Sequence, residues 1–158
     1  MNSVANMRVN TILSTLFAVA ASGVAVKPRD TALYNVFGFS ADCTPHSVTC
    51  GYGFRVVPSF ETPSDNGYIC GDIVLGPDNL PPLPLTACFT NPDFAYSIDI
   101  ANGGLTLTIT SALDANTNLT GTHTATSDQF IFENGGTTIS QRYIGPKNFT
   151  IVAEEVAV

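Results

Sequence analysis

Residues 94–110 alternate apolar and polar side chains with a period of two, which is the period of a strand and not of a helix. Phe94, Tyr96, Ile98 and Ile100 alternate with Ala95, Ser97 and Asp99; Leu105, Leu107 and Ile109 alternate with Thr106, Thr108 and Thr110. Asn102-Gly103-Gly104 lies between the two runs and supplies the left-handed backbone that a tight turn needs. The pattern predicts a hairpin with one apolar and one wet face.

The same period continues beyond residue 30. Runs 33–41 and 51–60 predict a hairpin, and 129–133 joins 137–144 through Asn134-Gly135-Gly136. A further hairpin is predicted to turn at Gly145-Pro146-Lys147 into 148–157, and Ser64-Asp65-Asn66-Gly67 separates 51–60 from 68–75. The segment 76–85 (GPDNLPPLPL) is excluded from any central strand, because proline offers no ladder donor; it reads as a polyproline-like surface crossing. No window after residue 30 carries a capped amphipathic helix. About eight to ten short strands predict an all-β antiparallel barrel or sandwich, and closure removes adhesive edges. With neither linker nor repeat, one domain is expected.

The first residues read differently. Residues 9–26 carry no charge, Arg8 precedes them, and Ile12 to Ala21 fit the apolar centre of a secretory signal. Gly23-Val24-Ala25 places small residues where cleavage requires them, so 1–25 is expected to be a signal peptide and 26–158 a single secreted β-domain. Asn10, Ser14, Thr15, Ser22 and Gly23 make the stretch a poor membrane span. Cleavage after Ala25 removes one cation, Arg8, and takes the net charge from -7 to -8. With only 6 Lys and Arg in the chain, nucleic acid is excluded as a partner and an anionic membrane surface is disfavoured.

Cys43, Cys50, Cys70 and Cys88 form an even set, which in an oxidising compartment reads as two disulfides. Their spacings of 7, 20 and 18 lack the short pairs of a zinc site, so no metal is expected there. Three connectivities exist. The hairpin of 33–41 with 51–60 sets Cys43 and Cys50 at the mouths of its loop and favours Cys43–Cys50 with Cys70–Cys88, the other two remaining open. Asn118-Leu119-Thr120 and Asn148-Phe149-Thr150 are sequons and expected glycosylation sites.

The chain carries only fragments of catalytic and metal-binding motifs. Ser40 in Gly38-Phe39-Ser40-Ala41-Asp42 lacks the last glycine of a nucleophile elbow and reads as a strand serine. His46 follows Pro45 in the cysteine-bounded loop, where a turn residue competes with a general base or ligand. His123 shares strand phase with Leu119 and Ala125, which points to a half-buried ring hydrogen-bonded to backbone. Glu154 and Glu155 are neighbours and face opposite ways in a strand, and neither Asp99 nor Glu133 pairs with them in sequence. Asp114-Ala115-Asn116-Thr117-Asn118 opens like a calcium loop but has Leu119 where glycine is needed, and reads as a solvated inter-strand loop. Threonine rows at 106, 108 and 110 and at 120, 122, 124 and 126 suit the exposed side of strands, and Pro81-Pro82-Leu83-Pro84 suits a stiff loop. No cofactor and no catalytic residue is expected.

The segment Phe39-Ser40-Ala41-Asp42-Cys43-Thr44-Pro45-His46-Ser47-Val48-Thr49-Cys50-Gly51-Tyr52-Gly53-Phe54 resembles small secreted proteins of ascomycete fungi, and Cys70, Cys88 and Gly103-Gly104-Leu105-Thr106-Leu107-Thr108 continue the likeness. Some members of that group are hypersensitive-response-inducing protein elicitors. They are similar in size and secretion to the Alt a 1-like β-barrel allergens, whose cysteine pattern this chain does not share. The resemblance implies a secreted, non-catalytic protein that triggers plant defence through a plant cell-surface receptor or membrane component. Thr44, Pro45, His46 and Ser47 are the candidate partner-binding loop, since a braced loop loses less entropy on binding. A carbohydrate-binding wall module and a small secreted hydrolase are the competing readings.

Overall fold

The computed structural model describes residues 31–60, 67–76, 78–134, 136 and 139–158. The expected signal peptide and its cleavage after Ala25 lie outside the described residues, as does the turn 64–66.

The strand periodicity becomes ten strands. These are β1 (Ala32–Cys43), β2 (Thr49–Pro58), β3 (Tyr68–Leu75), β4 (Leu83–Ala87), β5 (Phe94–Ala101), β6 (Gly104–Asp114), β7 (Thr117–Ala125), β8 (Phe130–Asn134), β9 (Ile139–Tyr143) and β10 (Phe149–Ala157), with one 3-10 turn at Ser127–Gln129. All pairings are antiparallel. Hydrogen-bonded neighbours run β3-β2-β1-β10-β7-β6-β5-β4, with β9 added to β1 and β8 to β9.

The first hairpin forms as its residues dictate. Ala101 faces Gly104 across a two-residue turn, in which Asn102 (φ 53°) and Gly103 (φ 76°) are both left-handed. Two such residues give the turn the twist of its flanking strands. Their apolar sides meet in the core, where Tyr96, Ile98, Leu107 and Ile109 are fully buried beside Tyr34 and Phe39.

The two ends of the sheet, β3 and β4, close on each other without a ladder. The Cys70–Cys88 disulfide bolts them, the Phe89 amide donates to the Ile69 carbonyl at 2.8 Å, and the Ile69 amide donates to Thr90 Oγ1 at 2.9 Å. The result is a nearly closed barrel. Cys43–Cys50 is the second disulfide, at the last register pair of β1 and β2.

Two expectations are corrected. The turn at Gly145-Pro146-Lys147 does not make a hairpin: β9 and β10 pair with different halves of β1, through Asp42↔Arg142 and Val36↔Phe149. A twelve-residue β1 is long enough to take both, and its bulge between Phe37 and Ser40 redirects it between them. The segment 76–85 is also less of a surface crossing than its prolines suggest. Leu80 and Leu83 are buried, and Leu83–Leu85 begin β4, an edge strand where Pro84 is tolerated.

Candidate functional site

The Cys43–Cys50 bond closes a tip in which Thr44, Pro45 and His46 are exposed and Ser47 is half-buried. The Thr44 amide donates to the Thr49 carbonyl at 2.9 Å, the Ser47 amide to the Thr44 carbonyl at 3.2 Å, and the Ser47 and Thr49 hydroxyls lie 2.9 Å apart. His46 sits at φ 59°, a left-handed backbone that a non-glycine side chain adopts only in a constrained turn. The four residues singled out by sequence are therefore held together on a braced, solvent-facing tip.

Behind this tip lies a groove that the sequence reading missed. On the outer face of β1, β2 and β3, the positions that should carry outward side chains are Gly51 and Gly53 in β2 and Gly71 in β3, with Gly53 opposite Gly71 and Gly51 opposite Ile73. Missing side chains there leave a concavity of about 700 Å³, walled by Ile69, Ile73 and Phe89. Phe89 is 73% exposed and Ile73 76% exposed, so the walls stand in water without cover. Ser40 and Asp42 form the opposite bank and also border an adjoining hollow of about 380 Å³ lined by Arg142 and Lys147. A third hollow, past Ser40, Gly53 and Ile69, reaches Phe37 and Arg55, whose guanidinium lies 5.5 Å from the Phe37 ring centre. The legible signal was the spacing Gly51-x-Gly53 inside a strand, joined to a β3 that is apolar on both faces.

Electrostatics divide the groove. Burial raises the Asp42 carboxyl above the ordinary carboxylate range; Arg142 and Lys147 oppose that rise and Glu133 adds to it. Arg142 is ion-paired with Glu133. Lys147 makes no ion pair among the described residues.

The chemical fragments do not assemble. Ser40 donates to the Gly53 carbonyl at 3.3 Å, as a strand serine. His123 is half-buried, as its phase requires, but its Nε2 has no hydrogen-bond partner among the described residues; the ring is held by stacking on Phe149 instead of by backbone. Burial lowers its pKa, with no charged neighbour contributing. Asp114 accepts from the Asn116 amide at 2.8 Å in a tight turn between β6 and β7, too short for a calcium loop. The threonine rows face each other across the outer side of β6 and β7, with Thr106–Thr124 and Thr110–Thr120 hydroxyls 3.3 and 3.2 Å apart. Among the described residues, no three His, Cys, Asp or Glu side chains gather as a metal site. Of the two sequons, Asn148 is exposed, its Oδ1 accepting from the Gly38 amide at 2.9 Å, and Asn118 is half-buried in β7.

Fold and site define a twice disulfide-bonded antiparallel β-barrel with a braced tip and a glycine-floored groove. No family model matches the chain, and no curated protein matches it. Among solved structures it is similar to the Alternaria alternata major allergen Alt a 1. One such structure is 12% identical with a TM-score of 0.47, covering 78% of this chain and 94% of the allergen. A second is 12% identical with a TM-score of 0.48, covering 85% and 97%.

Proposed function

We propose that this chain is a secreted, non-catalytic fungal elicitor that acts on plants by presenting a rigid surface to a cell-surface receptor or membrane component. The reading rests on the likeness of residues 39–54 to elicitor sequences. The structural observation that carries it is the tip at Thr44-Pro45-His46-Ser47, exposed yet cross-linked at its base by Cys43–Cys50. A surface already fixed in shape gives up little conformational entropy when a partner docks. Two disulfides suit an extracellular compartment, and a glycan on Asn148 would project from the exposed start of β10. Purified protein infiltrated into leaves is expected to provoke localised defence and cell death. Substituting Pro45→Ala with His46→Ala should weaken the response while the barrel stays folded. A silent native protein, or full activity from reduced and unfolded chain, counts against the reading.

A further inference from the structure

The groove on β1, β2 and β3 has a ligand chemistry of its own. Its floor is backbone, from Gly51, Gly53 and Gly71, and its walls are Ile69, Ile73 and Phe89. Backbone pleats and apolar walls offer contact and no directed hydrogen bonds over most of its length. Of the charged and hydroxyl side chains that border it, Ser40, Asp42, Thr44 and Thr49 lie towards β1 and the tip and Asp72 on β3; past Ser40 and Asp42 the surface leads into the adjoining hollow and Lys147.

Charge singles out the same place. The three basic residues among those described, Arg55, Arg142 and Lys147, all border this face of a chain whose net charge is -7. Arg142 is engaged by Glu133 and Arg55 lies over Phe37, which leaves the Lys147 ammonium as the cation without an ion pair among the described residues. Among the described residues every Lys and Arg is therefore on this face, which makes it the part of the described surface best suited to an anion.

We propose that this groove binds an amphipathic carboxylate, with an aliphatic chain on the glycine floor against Ile69 and Phe89 and its carboxylate at Lys147. From β3 to β9 is three inter-strand steps, about 14 Å, which an extended medium-length acyl chain spans. A saccharide fits less well, because most of the lining has no donor or acceptor side chain to meet its hydroxyls. Asp42 stands beside the path of the anion and opposes it. Binding therefore strengthens when Asp42 loses its charge.

Decanoate titrated into the disulfide-intact protein, followed by amide NMR shifts, tests this. Saturable shifts at Gly51, Gly53 and Gly71 are expected, with methyl decanoate and decyltrimethylammonium binding far more weakly. Lys147→Gln should weaken decanoate binding by about tenfold, the value of one charge-assisted hydrogen bond. Its backbone carbonyl, which accepts from Phe39, is untouched by that change. Asp42→Asn should tighten binding several-fold. Gly51→Leu should abolish it, and a Cβ at that position meets only the Asp72 carbonyl oxygen, at 3.8 Å, an ordinary contact. Absence of shifts at the three glycines, equal affinity for the methyl ester, or a folded Gly51→Leu variant that still binds overturns the proposal. The first two results stand whether or not that variant folds.

Discussion

The imidazole of His123 lies flat on the ring of Phe149, with centroids 3.8 Å apart and planes 14° from parallel. The β7–β10 ladder runs over Thr117–Thr120, and the stacked pair packs just beyond it, where the two strands are no longer paired. Phe149 also meets Phe39 edge-on at 5.7 Å, so the histidine is tied into the aromatic core. Stacking leaves Nε2 buried and unpartnered, which favours the neutral ring.

That preference makes stability depend on pH. Burial lowers the folded-state pKa of His123 below its ordinary 6.5, so the unfolded chain takes up the proton first. The contribution is complete above 6.5 and is lost as pH falls through it towards the lower folded value. Thermal melts from about pH 7.5 down to about pH 5.5 should show falling Tm, and His123→Phe should flatten that slope. Asp42 acts in the opposite sense: its raised pKa lets the native state take the proton first, so acidification through its window adds stability.

Two buried tyrosines should respond oppositely to loss of the hydroxyl. Tyr34 donates to the Leu119 carbonyl at 2.8 Å and lies 2.8 Å from Ser111 Oγ, all of it buried. Tyr34→Phe strands those groups and should cost about 1–3 kcal/mol. The Tyr96 hydroxyl is buried with no partner among the described residues, and burial pushes its pKa well upward. Tyr96→Phe removes a desolvated group that gains nothing, and should be neutral or stabilising by about 1 kcal/mol. Denaturant midpoints of the two variants at constant m-value check the contrast.

The disulfides should differ in worth. Replacing Cys70 and Cys88 by serine opens the longer loop and unbolts a seam that has no strand ladder. A loss of about 3 kcal/mol is expected, lowering Tm by roughly 10 °C. Hydrogen exchange should rise at the Phe89 amide, whose bond to Ile69 crosses that seam. Replacing Cys43 and Cys50 frees a tip whose strands remain paired, at about 2.5 kcal/mol, and leaves the Phe89 amide protected. Equal acceleration in both variants would show that the seam does not depend on its own bond.

Most of the barrel is legible in the chain because hairpins are local. Asn102-Gly103 dictates its turn, and alternation assigns each side chain of β5 and β6 to a face without reference to anything distant. The β9–β10 relationship was not legible, because a turn at Gly145-Pro146-Lys147 suits either a hairpin or a step between two sites on one strand. The bulged β1 decides between them, more than a hundred residues earlier in sequence. The tip at 44–47 was visible as a loop between two strands with a cysteine at each mouth, which favours the Cys43–Cys50 bond that the structure then shows. The groove was marked only by Gly51-x-Gly53 inside a strand, because the meeting of those glycines with Gly71 on one outer face depends on the β2–β3 register.

The sequence by itself determines the all-β class, the strand faces, an even set of four cysteines and the acidic charge, all of which follow from residue type and short spacing. Tertiary structure alone decides that β3 and β4 close the barrel through Cys70–Cys88, that β9 and β10 share β1, and that three glycines from two strands form one floor. It also gathers Arg55, Arg142 and Lys147 onto one face. Such relations join residues far apart in the chain, and they are fixed by register and sheet closure, which no local pattern encodes.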